Sequence, residues 1–429
     1  MLTGLGALTP VGLDVAAFTA ALRAGRCGVR VVDGGASAVN AGPGIGDPAP
    51  PRLLAALPEL GLPELLDPIA ELDPDLRRRC LRAARRSPLP VRAALAAAVQ
   101  AWQDAGLAQA PVPAERIGLV VAGHNLTGRQ AFELYPTYLR QPGHLPPRFA
   151  LQAQDTDHVG TISEALGIEG EGCTIGASSA SGNAALIHAA RLVHIGAVDV
   201  CLAVGAMAQL GPLEYQALVN LGVNAPTANP NTACRPFDRA RSGIVPGEAA
   251  ACVVVESAAS AARRGAPAWA ELAGHALVLS ATSLSDPSPA GEARAMTQAL
   301  AMAGISADRL DYINAHATGT PAGDDAETEA LTRVLGPTTG RPWINATKAL
   351  LGHCLSAAGM VEAVAVALQM RAGFVHGNPA LHDPVNTQLR FVGPQAQPAT
   401  IDYALSNSFG FGGFNSAVVL KRCGPDAQD

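Results

Sequence analysis

The stretch from Glu171 to Gly205, EGCTIGASSASGNAALIHAARLVHIGAVDVCLAVG, leaves few choices of fold. Cys173, Thr174 and Ile175 have strand character and run into a turn of small residues, Gly176-Ala177-Ser178-Ser179-Ala180-Ser181-Gly182. Leu186, Ile187, Ala190 and Val193 then repeat at helical spacing, Gly196 closes the helix, and Val198 to Val204 reads as the next buried strand. Small residues at the mouth of a buried helix let a ligand approach the backbone, and the free amides there favour developing negative charge. Ser178, Ser179 and Ser181 are all candidates for a reactive group in this turn. Each is equally readable as a small packing or capping residue, and the turn by itself does not choose.

The chain has 429 residues, of which 15% are charged and 48% apolar, a balance that suits a large packed core and excludes a disordered chain. The net charge of −6 without a long basic run argues against nucleic acid as the main partner. Eight cysteines lie far apart with no CxxC pair, as in a protein of reduced thiols, so neither disulfides nor structural zinc are expected. No predominantly apolar stretch is expected to reach the roughly 18 residues that span a bilayer, and no basic region precedes an apolar one at the amino terminus. The expectation is a cytoplasmic protein that does not enter a membrane. Lys348 and Lys421 are the chain's two lysines among 30 Lys and Arg, which makes the internal Lys348 a candidate for a role that needs a compact ammonium.

Strands and helices alternate along the chain, which predicts an α/β layered fold with mainly parallel sheets. Strands are expected at Leu2 to Leu8, Arg116 to Ala122, Ala251 to Glu256, Tyr312 to Ala315 and Trp343 to Ala346, with a strand, glycine loop and strand around Tyr403 to Leu420. Helices are expected at Val15 to Leu22, Val91 to Ala105, Gly291 to Ala303, Asp325 to Leu335 and Ala357 to Met370, and Met207 to Val219 reads as helical. Gly34 to Pro90 reads as a surface excursion with short helices, its arginines (Arg77 to Arg79, Arg82, Arg85, Arg86) forming a solvated face or a docking patch. Asn125 to Asp157 reads as irregular, its aromatics Phe132, Tyr135, Tyr138 and Phe149 serving a subunit interface, a pocket wall or a packed loop. The pattern divides the chain into two similar halves, 1–257 and 258–429, of which the first carries Ser179 and the second His316, Lys348 and His353.

Three further motifs follow in order. Asn314-Ala315-His316-Ala317-Thr318-Gly319-Thr320 ends a strand, where open α/β sheets place their sites, and the hydroxyls of Thr318 and Thr320 suit an amide-bearing substrate arm. Asn345-Ala346-Thr347-Lys348 and Leu351-Gly352-His353 precede a small-residue helix carrying Glu362. Asn407-Ser408-Phe409-Gly410-Phe411-Gly412-Gly413-Phe414-Asn415 is a glycine loop able to leave amides free for an oxyanion, or a plain hairpin turn. Singly each is weak; their order is specific.

With these motifs the chain resembles, over residues 3 to 420, the β-ketoacyl synthases of the thiolase superfamily. That resemblance implies a thiolase-like layered αβαβα fold from two similar halves and puts the family's nucleophilic cysteine position at Ser179. It makes His316 and His353 the paired histidines and Lys348, also counted with the catalytic set, their charged neighbour. Glu362 and Asn407 become supporting residues, Phe411 the gate beside the pocket, and Thr318, Thr320 and Phe414 substrate-binding residues. The cysteine is missing, Ala317 replaces a glycine, and Phe414 stands where the family usually has threonine. The run Asp155-Thr156-Asp157-His158-Val159-Gly160-Thr161-Ile162-Ser163 followed by the serine turn is similar to the ketosynthase-like decarboxylases of polyketide β-branching cassettes. The likeness implies a homodimer that acts on malonyl carried by the phosphopantetheine of an acyl carrier protein and needs no metal or redox cofactor.

Acidity sharpens that expectation. A thiol near pKa ~8.5 is readily activated, whereas an alcohol is a weak nucleophile without an adjacent base. Serine at this position cripples acyl loading, yet decarboxylation of a malonyl thioester needs only donors for an enolate oxygen and an apolar place for the carboxylate. Two rival readings stand beside it: an acyltransferase or thioesterase that uses Ser179 with a histidine base and Asp324 or Asp325, and a non-catalytic subunit resembling chain-length factors.

Overall fold

The computed structural model describes residues 1–32 and 52–424. Two five-stranded sheets form its frame. The first contains β1 (Leu2–Leu8), β2 (Ile117–Ala122), β3 (Gly172–Ile175), β4 (Val200–Gly205) and β5 (Ala250–Glu256). The second contains β6 (Glu271–Leu279), β7 (Tyr312–Asn314), β8 (Trp343–Asn345), β9 (Tyr403–Gly410) and β10 (Phe414–Lys421). Their spatial orders are β1-β5-β4-β2-β3 and β6-β10-β9-β7-β8, so the two halves share one topology. Pairing sense repeats as well: in each sheet the first two pairs in that order are antiparallel and the last two parallel. The sheets are therefore mixed, not mainly parallel. In the second half the reason is local, because the short turn Phe411-Gly412-Gly413 joins β9 to β10 as a hairpin, which closes only antiparallel.

Five helices complete the layers: α1 (Leu89–Asp104), α2 (Ser181–His194), α3 (Pro289–Met302), α4 (Pro321–Leu335) and α5 (Ala358–Ala372). Helix α1 covers the outer face of the first sheet, and α3, packed on α4, covers that of the second. Between the sheets lie α2 and α5, each touching strands of both, which gives the αβαβα order. Glycine sets the closeness of these layers. A Cβ on Gly6 would stand 2.0 Å from the Ala97 carbonyl oxygen of α1, and one on Gly182 2.3 Å from the Met360 amide of α5.

Helix α5 is buried from Ala358 to Met370, as expected of a helix apolar on every side. With the preceding turn it makes an 18-residue segment, Leu355–Ala372, long and apolar enough to cross a membrane, which corrects the expectation that no such stretch exists. Its apolar surface is spent on the core, against residues such as Leu186, Val253 and Val418 of the same cluster.

Other sequence expectations need revising. Asn125 to Asp157 is largely helical, with Gly128–Arg140 and Phe149–Gln152; the internal Pro136 and a side facing away from the core conceal the period. Tyr135 and Tyr138 stack on each other at the surface and do not wall the cavity described below. Met207 to Gly211 is not helical, and the helix starts at Pro212, a residue suited to a first helical position. Part of Gly34 to Pro90, residues 34 to 51, lies outside the described residues. The remainder is less superficial than expected: Leu62, Leu65, Leu66, Leu76 and Cys80 are buried in the core cluster around α1. The arginine cluster does present a solvated face, with Arg78 and Arg82 exposed and paired to Asp75 and Glu164.

Candidate active site

Every motif of the sequence converges at the carboxyl ends of strands. Ser179 sits in the turn from β3 to α2, His316 in the loop after β7, His353 in the connection from β8 to α5, and Phe411 in the β9–β10 hairpin. Ser179, His316 and His353 line one cavity of about 350 Å³, with Phe409, Phe411 and Phe414 as its apolar wall. Thr318 and Thr320 line it further out, their hydroxyls 2.9 Å apart, and Thr320 Oγ1 also caps α4 by accepting from the Gly323 amide. Phe411 lines the cavity and is 44% exposed, which places it at the rim.

The turn distinguishes its three serines. Ser181 is fully buried, its Oγ accepting from the Ala177 amide at 2.8 Å and donating to the Ser178 carbonyl at 2.6 Å, so it holds the loop. Ser178 occupies the left-handed region at φ 52 that lets the chain reverse. Ser179 alone of the three lines the cavity; its carbonyl accepts from Ser408 Oγ at 3.0 Å and its own Oγ lies 3.0 Å from His353 Nε2.

Proton positions on the two rings follow from their other contacts. The Leu355 backbone amide donates to His353 Nδ1 at 3.1 Å, so Nδ1 carries no proton and Nε2–H is the donor to Ser179 Oγ. Lys348 Nζ stands 3.3 Å from His316 Nδ1, and an ammonium has only protons to give, so His316 likewise bears its proton on Nε2. Burial first, then the Lys348 charge, holds both rings well below the usual imidazole range, and His353 lowers His316 further. Both are neutral donors. Their centroids are 5.6 Å apart and the planes nearly perpendicular at 85°.

Lys348, expected among the catalytic residues, does not line the cavity but stands behind His316. It bonds Glu362 Oε1 at 2.5 Å with both side chains buried. Burial pushes Glu362 up to about 7, against the pull of Lys348. Asn407 also lies outside the cavity: its Nδ2 donates to Glu327 Oε1 at 3.1 Å. Glu327, which the sequence reading missed, accepts from the amides of His316 at 2.9 Å and Ala317 at 2.7 Å and so fixes the histidine loop. An acid in the helix after a strand-end histidine was the signal available for it.

Asp324 and Asp325 do not complete a triad. Asp324 accepts from the amides of Phe237 at 2.7 Å and Gly319 at 3.0 Å, Asp325 pairs with Arg241, and His353 Nδ1 is taken by an amide. In this tautomer His353 donates to Ser179 and cannot act as its base.

Ala317, at φ 37, explains a glycine preference there: an L side chain in this region costs about 1–2 kcal/mol. Ala317→Gly is expected to stabilise the protein by about 0.5–1 kcal/mol, the relief of strain exceeding the added freedom of the unfolded chain. Urea unfolding midpoints check this; a lower midpoint would show the backbone to be unstrained.

Residues 1–261 match the family described as beta-ketoacyl synthase, N-terminal domain, and residues 269–382 the beta-ketoacyl synthase, C-terminal domain. The chain belongs to the β-ketoacyl synthase family. It is 38% identical over 349 residues to the polyketide biosynthesis malonyl-ACP decarboxylase PksF of Bacillus subtilis (strain 168), covering 80% of this chain and 83% of that protein. Among solved structures, the ishigamide ketosynthase/chain length factor superposes with a TM-score of 0.84 at 28% identity, covering 99% of this chain and 98% of that one. A type II PKS acyl-carrier protein in complex with its ketosynthase, AntDE:AntF, gives 0.81 at 27% identity over 99% and 98%. The family resemblance read from the motifs and the thiolase-like layered fold are both borne out.

Proposed function

We propose that this protein decarboxylates malonyl on the phosphopantetheine arm of an acyl carrier protein to acetyl, without condensation, within a polyketide β-branching cassette. The observation that carries this reading is the pair of Nε2–H donors aimed into one cavity beside a serine whose hydroxyl receives a proton contact instead of losing one. The thioester oxygen seats between His316 and His353, taking the place of Ser179 Oγ as acceptor. Around it Phe409, Phe414 and Leu355 offer the malonyl carboxylate little solvation, and no Lys or Arg is among the described residues lining the cavity. Release of carbon dioxide then leaves an enolate whose charge the two donors stabilise. The arm runs past Thr318 and Thr320 to the mouth, where Phe411 stands.

The similarity to a protein named malonyl-ACP decarboxylase and to a ketosynthase solved with its carrier protein supports both substrate and partner. A homodimer that needs no metal or redox cofactor belongs to the same proposal. Its test is mass spectrometry of a malonyl-loaded carrier protein incubated with the purified enzyme. Acetyl-carrier is the expected product; unchanged malonyl, free malonate with an emptied arm, or a condensed acyl chain would each reject the reading.

A further inference from the structure

Decarboxylation consumes one proton, and neither histidine supplies it without giving up the N–H that holds the oxygen. Another group in the cavity faces this need. Glu292 is buried in the first turn of α3, which Ser288 Oγ caps by accepting from the Gly291 amide at 3.1 Å, and it lines the same cavity as Ser179 and His316. Met296 lies one turn further along the same helix face, its Sδ 3.4 Å from Asn407 Nδ2. Asn407 precedes Phe409 on β9, and the Phe409 ring stands 5.5 Å from that of His316, so this face of α3 packs against the strand that backs the histidine.

Glu292 Oε2 has no hydrogen-bond partner among the described residues. An ionised carboxylate with that oxygen buried and unpaired would be poorly compensated for the hydration it loses. The charged groups acting on it are Glu327, Asp324 and Glu329, all acidic; burial first and these neighbours next push Glu292 up to about 10. A neutral O–H thus faces a cavity in which a carbanion forms.

We propose that Glu292 is the catalytic proton donor to the enolate carbon, an inference that rests on the decarboxylation reading. The bond from C2 to the carboxylate breaks, its electron pair enters the thioester enolate, and carbon dioxide leaves. C2 then takes the Glu292 proton, the O–H pair stays on the carboxylate, and solvent restores the acid.

The test uses the full protein, its Glu292→Gln and Glu292→Asp variants, malonyl-loaded carrier protein and carbon-13 carbon dioxide. The wild type is expected to turn over without label entering unreacted malonyl. Glu292→Gln is expected to be about 100-fold slower and to incorporate label, because an enolate that waits for a proton recaptures carbon dioxide; Glu292→Asp recovers part of the rate. Glu292→Gln within about threefold of wild type, or slow without label, would overturn the assignment. Failure of the wild type itself to release carbon dioxide would reject the decarboxylation reading with it.

Protonation is read separately by unfolding. A carboxyl raised in the folded state loses stability as pH rises above its unfolded value, so the urea midpoint of Glu292→Gln is expected to gain on wild type from pH ~4.5 to ~8. Midpoints that stay parallel would mean an ionised Glu292 and would also overturn the proposal.

Discussion

His353→Ala is expected to slow carbon dioxide release by about 10²- to 10³-fold, and Ser179→Ala to leave it within about tenfold of wild type. The asymmetry comes from which atom does the donating. His353 Nε2–H is fixed by the Leu355 amide on the opposite ring nitrogen, so the donor is already aimed before substrate arrives. A donor in a water-poor cavity aimed at the place where charge develops is worth roughly 3 to 4 kcal/mol of barrier. Ser179 Oγ, in contrast, occupies that donor in the free protein and must yield it to the thioester oxygen. Removing the hydroxyl removes a competitor. Steady-state assays of carbon dioxide release on malonyl-carrier protein check both variants, and loss of activity in Ser179→Ala comparable to that in His353→Ala would sink the non-covalent mechanism in favour of an acyl-serine.

Lys348→Met is expected to cost about 3–5 kcal/mol of stability, because it leaves Glu362 buried without its partner. Glu362 Oε2 already lacks a hydrogen-bond partner among the described residues, and no second cation pairs with Glu362 among them. Adding Glu362→Leu is expected to restore most of that loss, since apolar replacement of a whole buried pair is often neutral. Activity should not return. Without the ammonium nothing specifies which nitrogen of His316 carries the proton, and the second donor is lost in both variants. Urea midpoints and turnover are measured together; turnover that recovers with stability would make Lys348 purely structural.

How much of this was legible in the sequence depended on distance along the chain. The elbow around Ser179 and the loops of His316, Lys348, His353 and Phe411 were readable because each is a short strand-end signal, a local matter of turn residues and period. Choosing Ser179 over Ser178 and Ser181 by chemistry needed the structure: what separates them is the Ser181 hydrogen bonds and the reach of His353. Asp324 was misleading, since chain order offered it as a triad member while its carboxylate is spent on the Phe237 and Gly319 amides. Glu292 was missed because the sheet, not the neighbouring residues, brings α3 to the cavity, whereas Glu327 follows the histidine loop directly and only its bonds to the His316 and Ala317 amides single it out. Pairing sense was equally hidden, as alternating elements are compatible with both mixed and parallel sheets.

The repeated strand order has one more consequence. The connection from β3 to α2 in one half answers to that from β8 to α5 in the other, so Ser179 and His353 approach the cavity from equivalent corners of a pseudo-dyad. Two buried helices thus begin close to one another, Gly182 packing on the Met360 amide and Gly359 on that of Asn183, and their amino-terminal dipoles add partial positive charge in the neighbourhood of the elbow. A favourable potential for an oxyanion is written into the backbone of the architecture itself. Exchanging a sulfur for an oxygen at one corner leaves that potential in place, which is what the proposed cleavage without bond formation requires.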